Sequence, residues 1–154
     1  MSSAPARKVS IVITIREVMN RNVVAVRPET TVEQTIEFLT RNHIGGSPVV
    51  NEAGELVGMV SELALIDVVF DRAIRLAPIS NYMNEELHTV HPDEPLTRAA
   101  QLFALYSFRR LPIVENGKLI GILTRRDLMN HSLRADHAVE DPLAALIPSL
   151  AGIN

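Results

Sequence analysis

Leu119-Ile120-Gly121-Ile122-Leu123-Thr124-Arg125-Arg126-Asp127-Leu128 decides the fold, because a second version stands 63 positions earlier as Leu56-Val57-Gly58-Met59-Val60-Ser61-Glu62-Leu63-Ala64-Leu65. Each stretch reads as a buried strand holding one glycine, a hydroxyl residue at the strand's end, and then the first turn of a helix. Working upstream, the offset becomes 64, because the second copy is one residue shorter in its turn. Pro48-Val49-Val50 falls on Pro112-Ile113-Val114, Val32 on Leu96, Pro28 on Pro92, Val26 on Val90, and Met19-Asn20 on Met83-Asn84. Self-similarity at a fixed spacing is the signature of a structural repeat.

Both copies predict the same order of elements. An extended stretch comes first, at residues 23–26 and 87–90. A helix follows. In the first copy Val32, Ile36 and Leu39 share a face, and Thr31 with Gln34 forms a capping box. In the second, Asp93 is the expected cap with Pro95 in the first turn, and Leu96, Ala99, Ala100 and Phe103 make the apolar stripe. A hairpin is next, with strands at 48–51 and 56–60, then at 112–115 and 119–123. Asn116-Gly117 between the later pair is a strong hairpin signal. A second helix starts at Ser61 or Thr124. Each unit is therefore β-α-β-β-α, an α/β chain of the α+β type. One such unit buries too little surface to be comfortable alone. Two can pack sheet to sheet about a pseudo-two-fold axis, which creates two related clefts. The expected boundaries are an N-terminal segment 1–14, repeats at 15–70 and 79–132, a linker 71–78, and a tail 133–154. The tail's apolar stretch, 143–150, is expected to be partly helical and to dock on the module or a partner.

Composition narrows the function classes. Of 154 residues, 47% are hydrophobic but only 4% aromatic, so the core is aliphatic. There is no cysteine, which excludes disulfides, thiolate metal sites and a Cys nucleophile, and fits a cytoplasmic protein. No apolar run approaches the roughly 20 residues of a membrane span, and residues 11–15 are too few for a signal-peptide core. A net charge of −3 argues against nucleic acid as a partner. His43, His88, His91, His131 and His137 show no metal-ligand spacing, so no metal is expected. No Walker-type loop or nucleophile constellation is present, so no catalytic residues are assigned and the chain is expected not to be an enzyme.

The paired Pro48-Val49-Val50 and Pro112-Ile113-Val114 segments, with the two strand-to-helix stretches quoted first, resemble the cystathionine-β-synthase (CBS) domain family. The paired form is called a Bateman module, and the likeness covers about three quarters of the chain. It implies a regulatory module that binds AMP, ADP or ATP between the repeats and controls a partner protein, with no cofactor required. S-adenosylmethionine is the alternative ligand, and a ligand-free dimerisation scaffold is the alternative function. A homodimer is also implied.

Thr124 and Asp127 are the central candidates. The carboxylate can accept from both ribose hydroxyls, while Thr124 and the free N–H groups of the helix start can meet a phosphate. The same pair is also an ordinary helix cap. Arg109 and Arg110, before the buried strand at Pro112, are expected to join Arg126 as a phosphate cluster beside Thr124. The resemblance places Asn22, Val24, Ile44 and Gly45 around the base. Asn22 would read the adenine edge, Val24 and Ile44 would sandwich the ring, and Gly45-Gly46 would allow close backbone approach. The first copy departs from the pattern: Ala64 replaces the ribose-binding Asp, and Gly45-Gly46 replaces Arg109-Arg110. One competent cleft centred on Asp127 is therefore expected. The Ser61 cleft, flanked by Phe108 and Arg109, is expected to be weak or empty.

Overall fold

Two small antiparallel hairpins carry the fold, and helices cover them. The structure is a computed structural model and describes residues 12–136. The elements run α1 (Ile15–Val18), α2 (Val32–Arg41), β1 (Gly46–Val50), β2 (Leu56–Ser61), α3 (Glu62–Leu65), α4 (Arg72–Arg75), a 3-10 turn (Ile79–Asn81), α5 (Leu96–Leu105), β3 (Arg110–Glu115), β4 (Lys118–Thr124) and α6 (Arg125–Asp136). β1 pairs with β2 and β3 with β4, each with a bulge in the same place, after Val49 and after Ile113. The extended stretches 23–26 and 87–90 each join their hairpin at one parallel bridge, Val26 to Val49 and Val90 to Ile113. The chain is thus an α+β pair of repeats, as the sequence predicts. Asn116 and Gly117 both take positive φ, 53° and 78°, as the tight turn between β3 and β4 requires.

The repeats exchange their first segments. Ile15 and Met19 lie in the core formed by Val90, Leu96, Leu111, Ile113 and Leu123 of the second half. Ile79 lies in the core of the first half with Val26, Val32, Val49 and Val60, and Met83 packs against it. Three pairs of contacts make the exchange symmetric. Asn20 N–H donates to Ile122 O at 2.8 Å, and Asn84 N–H to Met59 O at 2.8 Å. Leu96 N–H donates to Ile13 O, and Val32 N–H to Ala77 O. A Cβ at Gly121 would meet Met19 Sδ at 2.5 Å, and one at Gly58 would meet Met83 Sδ at 2.5 Å. The glycine in each quoted strand is therefore the floor on which the other half's methionine rests. Ile15 and Ile79 are fully buried, and burial of such a side chain stabilises by roughly 1.5–3 kcal/mol.

Several local readings hold and others change. Thr31 and Gln34 form the capping box reciprocally. Asp93 does not cap α5. Pro95 occupies the cap position, and the N–H of Leu96 is taken by the Ile13 carbonyl of the exchanged segment. Asp93 instead receives Arg16 at 3.2 Å. Residues 71–78 are ordered chain: the Asp71 carboxylate accepts from Ala73 N–H at 3.0 Å and starts α4. Residues 133–136 extend α6, while the apolar stretch 143–150 lies outside the described residues.

Candidate functional site

Each strand-to-helix junction is built from a hydroxyl and the residue three positions on. At the end of β4, Asp127 N–H donates to Thr124 Oγ1 at 3.1 Å, and Thr124 N–H donates back to Asp127 Oδ2 at 2.9 Å. This is a reciprocal capping box with the shorter Asp side chain in place of Glu or Gln. The cap leaves two groups over. Among the described residues Asp127 Oδ1 accepts no hydrogen bond, and the Thr124 hydroxyl can still donate its own hydrogen. Capping and ligand contact are thus compatible at one pair. At the end of β2, Ala64 N–H donates to Ser61 Oγ at 3.3 Å, but Ala64 has no oxygen to return.

A cavity of about 720 Å³ opens at the Ser61 junction, within the range of small-molecule sites. Ser61, Glu62 and Ala64 form one wall, and Glu86, His88, Phe108, Arg109 and Arg110 come from the second half. Apolar residues including Ile36, Leu39 and Met59 line the remainder. The second-half contributors stand 64 positions after the residues expected around Thr124. Glu86 corresponds to Asn22, His88 to Val24, Phe108 to Ile44 and Arg109 to Gly45. Asn22, Val24, Ile44 and Gly45 are thus the first-copy counterparts of this wall in the sequence. Asn22 is exposed and its N–H donates to Asn20 Oδ1 at 3.0 Å. Val24 is half exposed at 50%. Ile44 packs partly on the first core. Gly45 accepts from Glu62 N–H at 2.9 Å and lies in the wall of the Ser61 cavity as well.

The expected cluster of three arginines beside Thr124 is split. Arg109 and Arg110 line the Ser61 cavity, whereas Arg126 is exposed on α6 and outside that wall. The cause is Gly46. Arg110 pairs with Thr124 across β3 and β4, but its guanidinium extends over the axis into the space a Gly46 side chain would fill. Burial lowers the Arg110 pKa, Arg109 lowers it further, and Glu62 opposes the shift.

Sequence reasoning placed Phe108 at this cleft but missed that His88 and Tyr106 join it as an aromatic trio. Tyr106 and Phe108 stack with ring centroids 5.1 Å apart, His88 lies tilted against them at 4.8 and 4.9 Å, and His88 and Phe108 reach the wall. Tyr106 carries no counterpart in the first copy, where Asn42 stands, so the repeat gave no signal for it. Elsewhere His91, Asp93 and Glu115 converge, but Arg16 already lies 2.6 Å from Glu115 and 3.2 Å from Asp93. Those hydrogen bonds raise the Arg16 pKa, the one to Glu115 most. Among the described residues no helix is long and apolar enough to cross a membrane.

Comparison with known proteins follows the same division of the chain. The family model described as CBS domain matches residues 15–71 and again 79–134. The CBS domain-containing protein YhcV of Bacillus subtilis is 32% identical over 127 residues, covering 81% of this chain and 89% of YhcV. The uncharacterized protein MJ1225 of Methanocaldococcus jannaschii is 33% identical over 116 residues, covering 75% of this chain. The match spans only 41% of MJ1225's length. Among solved structures, CBSX2, a CBS-pair protein from Arabidopsis thaliana, is similar in its complex with AMP. The TM-score is 0.73 and the identity 31%, over 80% of this chain and 98% of that one.

Proposed function

The chain belongs to the CBS-domain family, and on that premise we propose that it is a non-catalytic regulatory module that holds an adenine nucleotide between its repeats. One observation carries the reading: Asp127 keeps one carboxylate oxygen and Thr124 its hydroxyl hydrogen after capping α6. Those are the groups that ribose hydroxyls and a phosphate oxygen require. The similarity to CBSX2, a protein solved with AMP, supports a nucleoside monophosphate as the first ligand to test. In this reading Asp127 holds the ribose, Thr124 and Arg126 approach the phosphate, and Asn22, Val24, Ile44 and Gly45 surround the base. The Ser61 cleft, lacking the carboxylate, binds more weakly through Arg109 and Arg110. Ligand shifts the module only by its differential affinity for two arrangements of the repeats. A partner protein in the cytoplasm reads that arrangement.

The test is isothermal titration of nucleotide-stripped protein with AMP, ADP, ATP and S-adenosylmethionine, alongside Asp127→Ala. A tight binding event lost in the variant supports the sensor. Absence of heat with every ligand supports a scaffold, the reading that the reciprocal cap favours, in which Thr124 and Asp127 only start a helix. The proposed homodimer is checked by light scattering after size exclusion, and a monomer with and without AMP removes it.

A further inference from the structure

A single arginine links the two strand-to-helix junctions. Arg110 opens β3 directly opposite Thr124, and opposed residues on neighbouring strands share a face with their Cβ atoms about 5 Å apart. Its guanidinium nonetheless crosses the pseudo-two-fold. Nη2 lies 3.4 Å from where a Gly45 Cβ would stand, and Nη1 takes the place of a Gly46 side chain. Gly46 is the position 64 residues before Arg110, its own symmetry mate. Two arginines at these positions would collide, and two glycines would leave neither position with a cation. The chain has one side chain for a pair of symmetric positions. That side chain is half-buried, and among the described residues no hydrogen bond or ion pair reaches it. Its head group belongs to the wall of the Ser61 cavity, while its backbone belongs to the Thr124 junction.

From this placement we propose that Arg110 is the anion-binding residue common to both clefts, so that an anionic ligand in one lowers the affinity of the other. The inference rests on the proposed reading that the clefts hold phosphorylated adenosyl ligands. A planar guanidinium binds a phosphate through paired hydrogen bonds and cannot serve two phosphates in separate clefts with the same fork. Coupling between sites is reciprocal, and typical couplings change affinity about 5- to 150-fold.

The experiment separates the clefts and then removes the guanidinium. Asp127→Ala leaves the Ser61 cleft, and Ala64→Trp fills the Ser61 cavity and leaves the Thr124 cleft. Each is titrated with AMP and with adenosine, which lacks the phosphate, with and without Arg110→Met. The expected result is at least a tenfold loss of AMP affinity in both backgrounds and unchanged adenosine affinity. Arg110→Lys, which keeps the charge but not the fork, is expected to lose less in both, and stands in if Arg110→Met does not fold. AMP weakened only in the Asp127→Ala background would overturn the proposal, since Arg110 would then serve the Ser61 cleft alone. No AMP binding in that background overturns it too, as does equal loss for adenosine. Wild-type protein that binds neither ligand sinks the nucleotide-binding reading itself and this inference with it.

Discussion

In the proposed reading the Thr124 cleft has a carboxylate at Asp127, an amide at Asn22 and bare backbone at Gly45. Around Ser61 the corresponding positions supply Ala64, Glu86 and Arg109. The fold beneath the two junctions has diverged far less. Methionine rests on glycine at both, an asparagine N–H meets the facing strand at both, and in each half a carbonyl from the exchanged segment takes the first N–H of the earlier helix, α2 or α5. The differing positions are exposed or half-buried except the buried Gly46, and the matching methionines and glycines are buried or half-buried. The repeat can therefore lose a ligand group on one side without losing its packing, because packing and chemistry occupy different residues.

The largest expected effect bears on the chemistry. In the proposed reading Asp127→Ala removes the acceptor for two ribose hydroxyls, and hydrogen bonds to a charged group contribute about 1.5–3 kcal/mol each. AMP affinity for the tighter cleft should fall about 100-fold by titration. Stability should fall by only about 1 kcal/mol in urea, the scale of a lost cap. Unchanged affinity would break the contrast, leaving the Ser61 cavity as the principal site.

The next effect bears on the packing, and should be alike in both halves. A Cβ at Gly121 or Gly58 meets the Sδ of Met19 or Met83 at 2.5 Å and the methionine Cβ at 3.2 Å. The sulfur can move, but the Cβ is tied to its backbone. Gly121→Ala and Gly58→Ala should each destabilise by about 1–3 kcal/mol, the range for overpacking. Equilibrium denaturation of the two variants reads this directly. A large cost in one half alone would mean that the exchanged segments do not carry equal weight.

The contrast between packing and chemistry also governs what the sequence could reveal. The repeat, the Asn116-Gly117 turn and the Thr31–Gln34 box were legible because each is a local pattern with one physical solution. The Thr124–Asp127 pair was legible for the same reason. The exchange of Ile15 and Ile79 between cores was not, since a repeat boundary does not say which half a terminal segment packs against. The cap at Asp93 failed on that account, because Ile13 from the other half already satisfies Leu96. Arg109 at the Ser61 cleft was legible, but the direction in which the Arg110 side chain extends was hidden likewise. It depends on the empty space at Gly46, a residue 64 positions away.

The smallest expected effect joins the two halves of the contrast. Ala64→Asp places a carboxylate where the 63-residue shift puts Asp127. The backbone N–H of residue 64 already donates to Ser61 Oγ at 3.3 Å, so the return bond from Ser61 N–H should complete the box. A cap contributes about 0.5–2 kcal/mol, but α3 has only four residues, and a short helix offers a weak dipole for the new charge. Glu62 stands two residues away and repels it, whereas Arg110 offsets part of that repulsion. The net gain in stability should therefore be at most about 0.5 kcal/mol, measured by denaturation. Binding tells more. If the missing carboxylate alone separates the clefts, AMP should now bind the second cleft about tenfold more tightly, and the stoichiometry by titration should approach two. If the cap forms and binding does not improve, the difference lies across the cleft, where Glu86 and Arg109 replace Asn22 and Gly45.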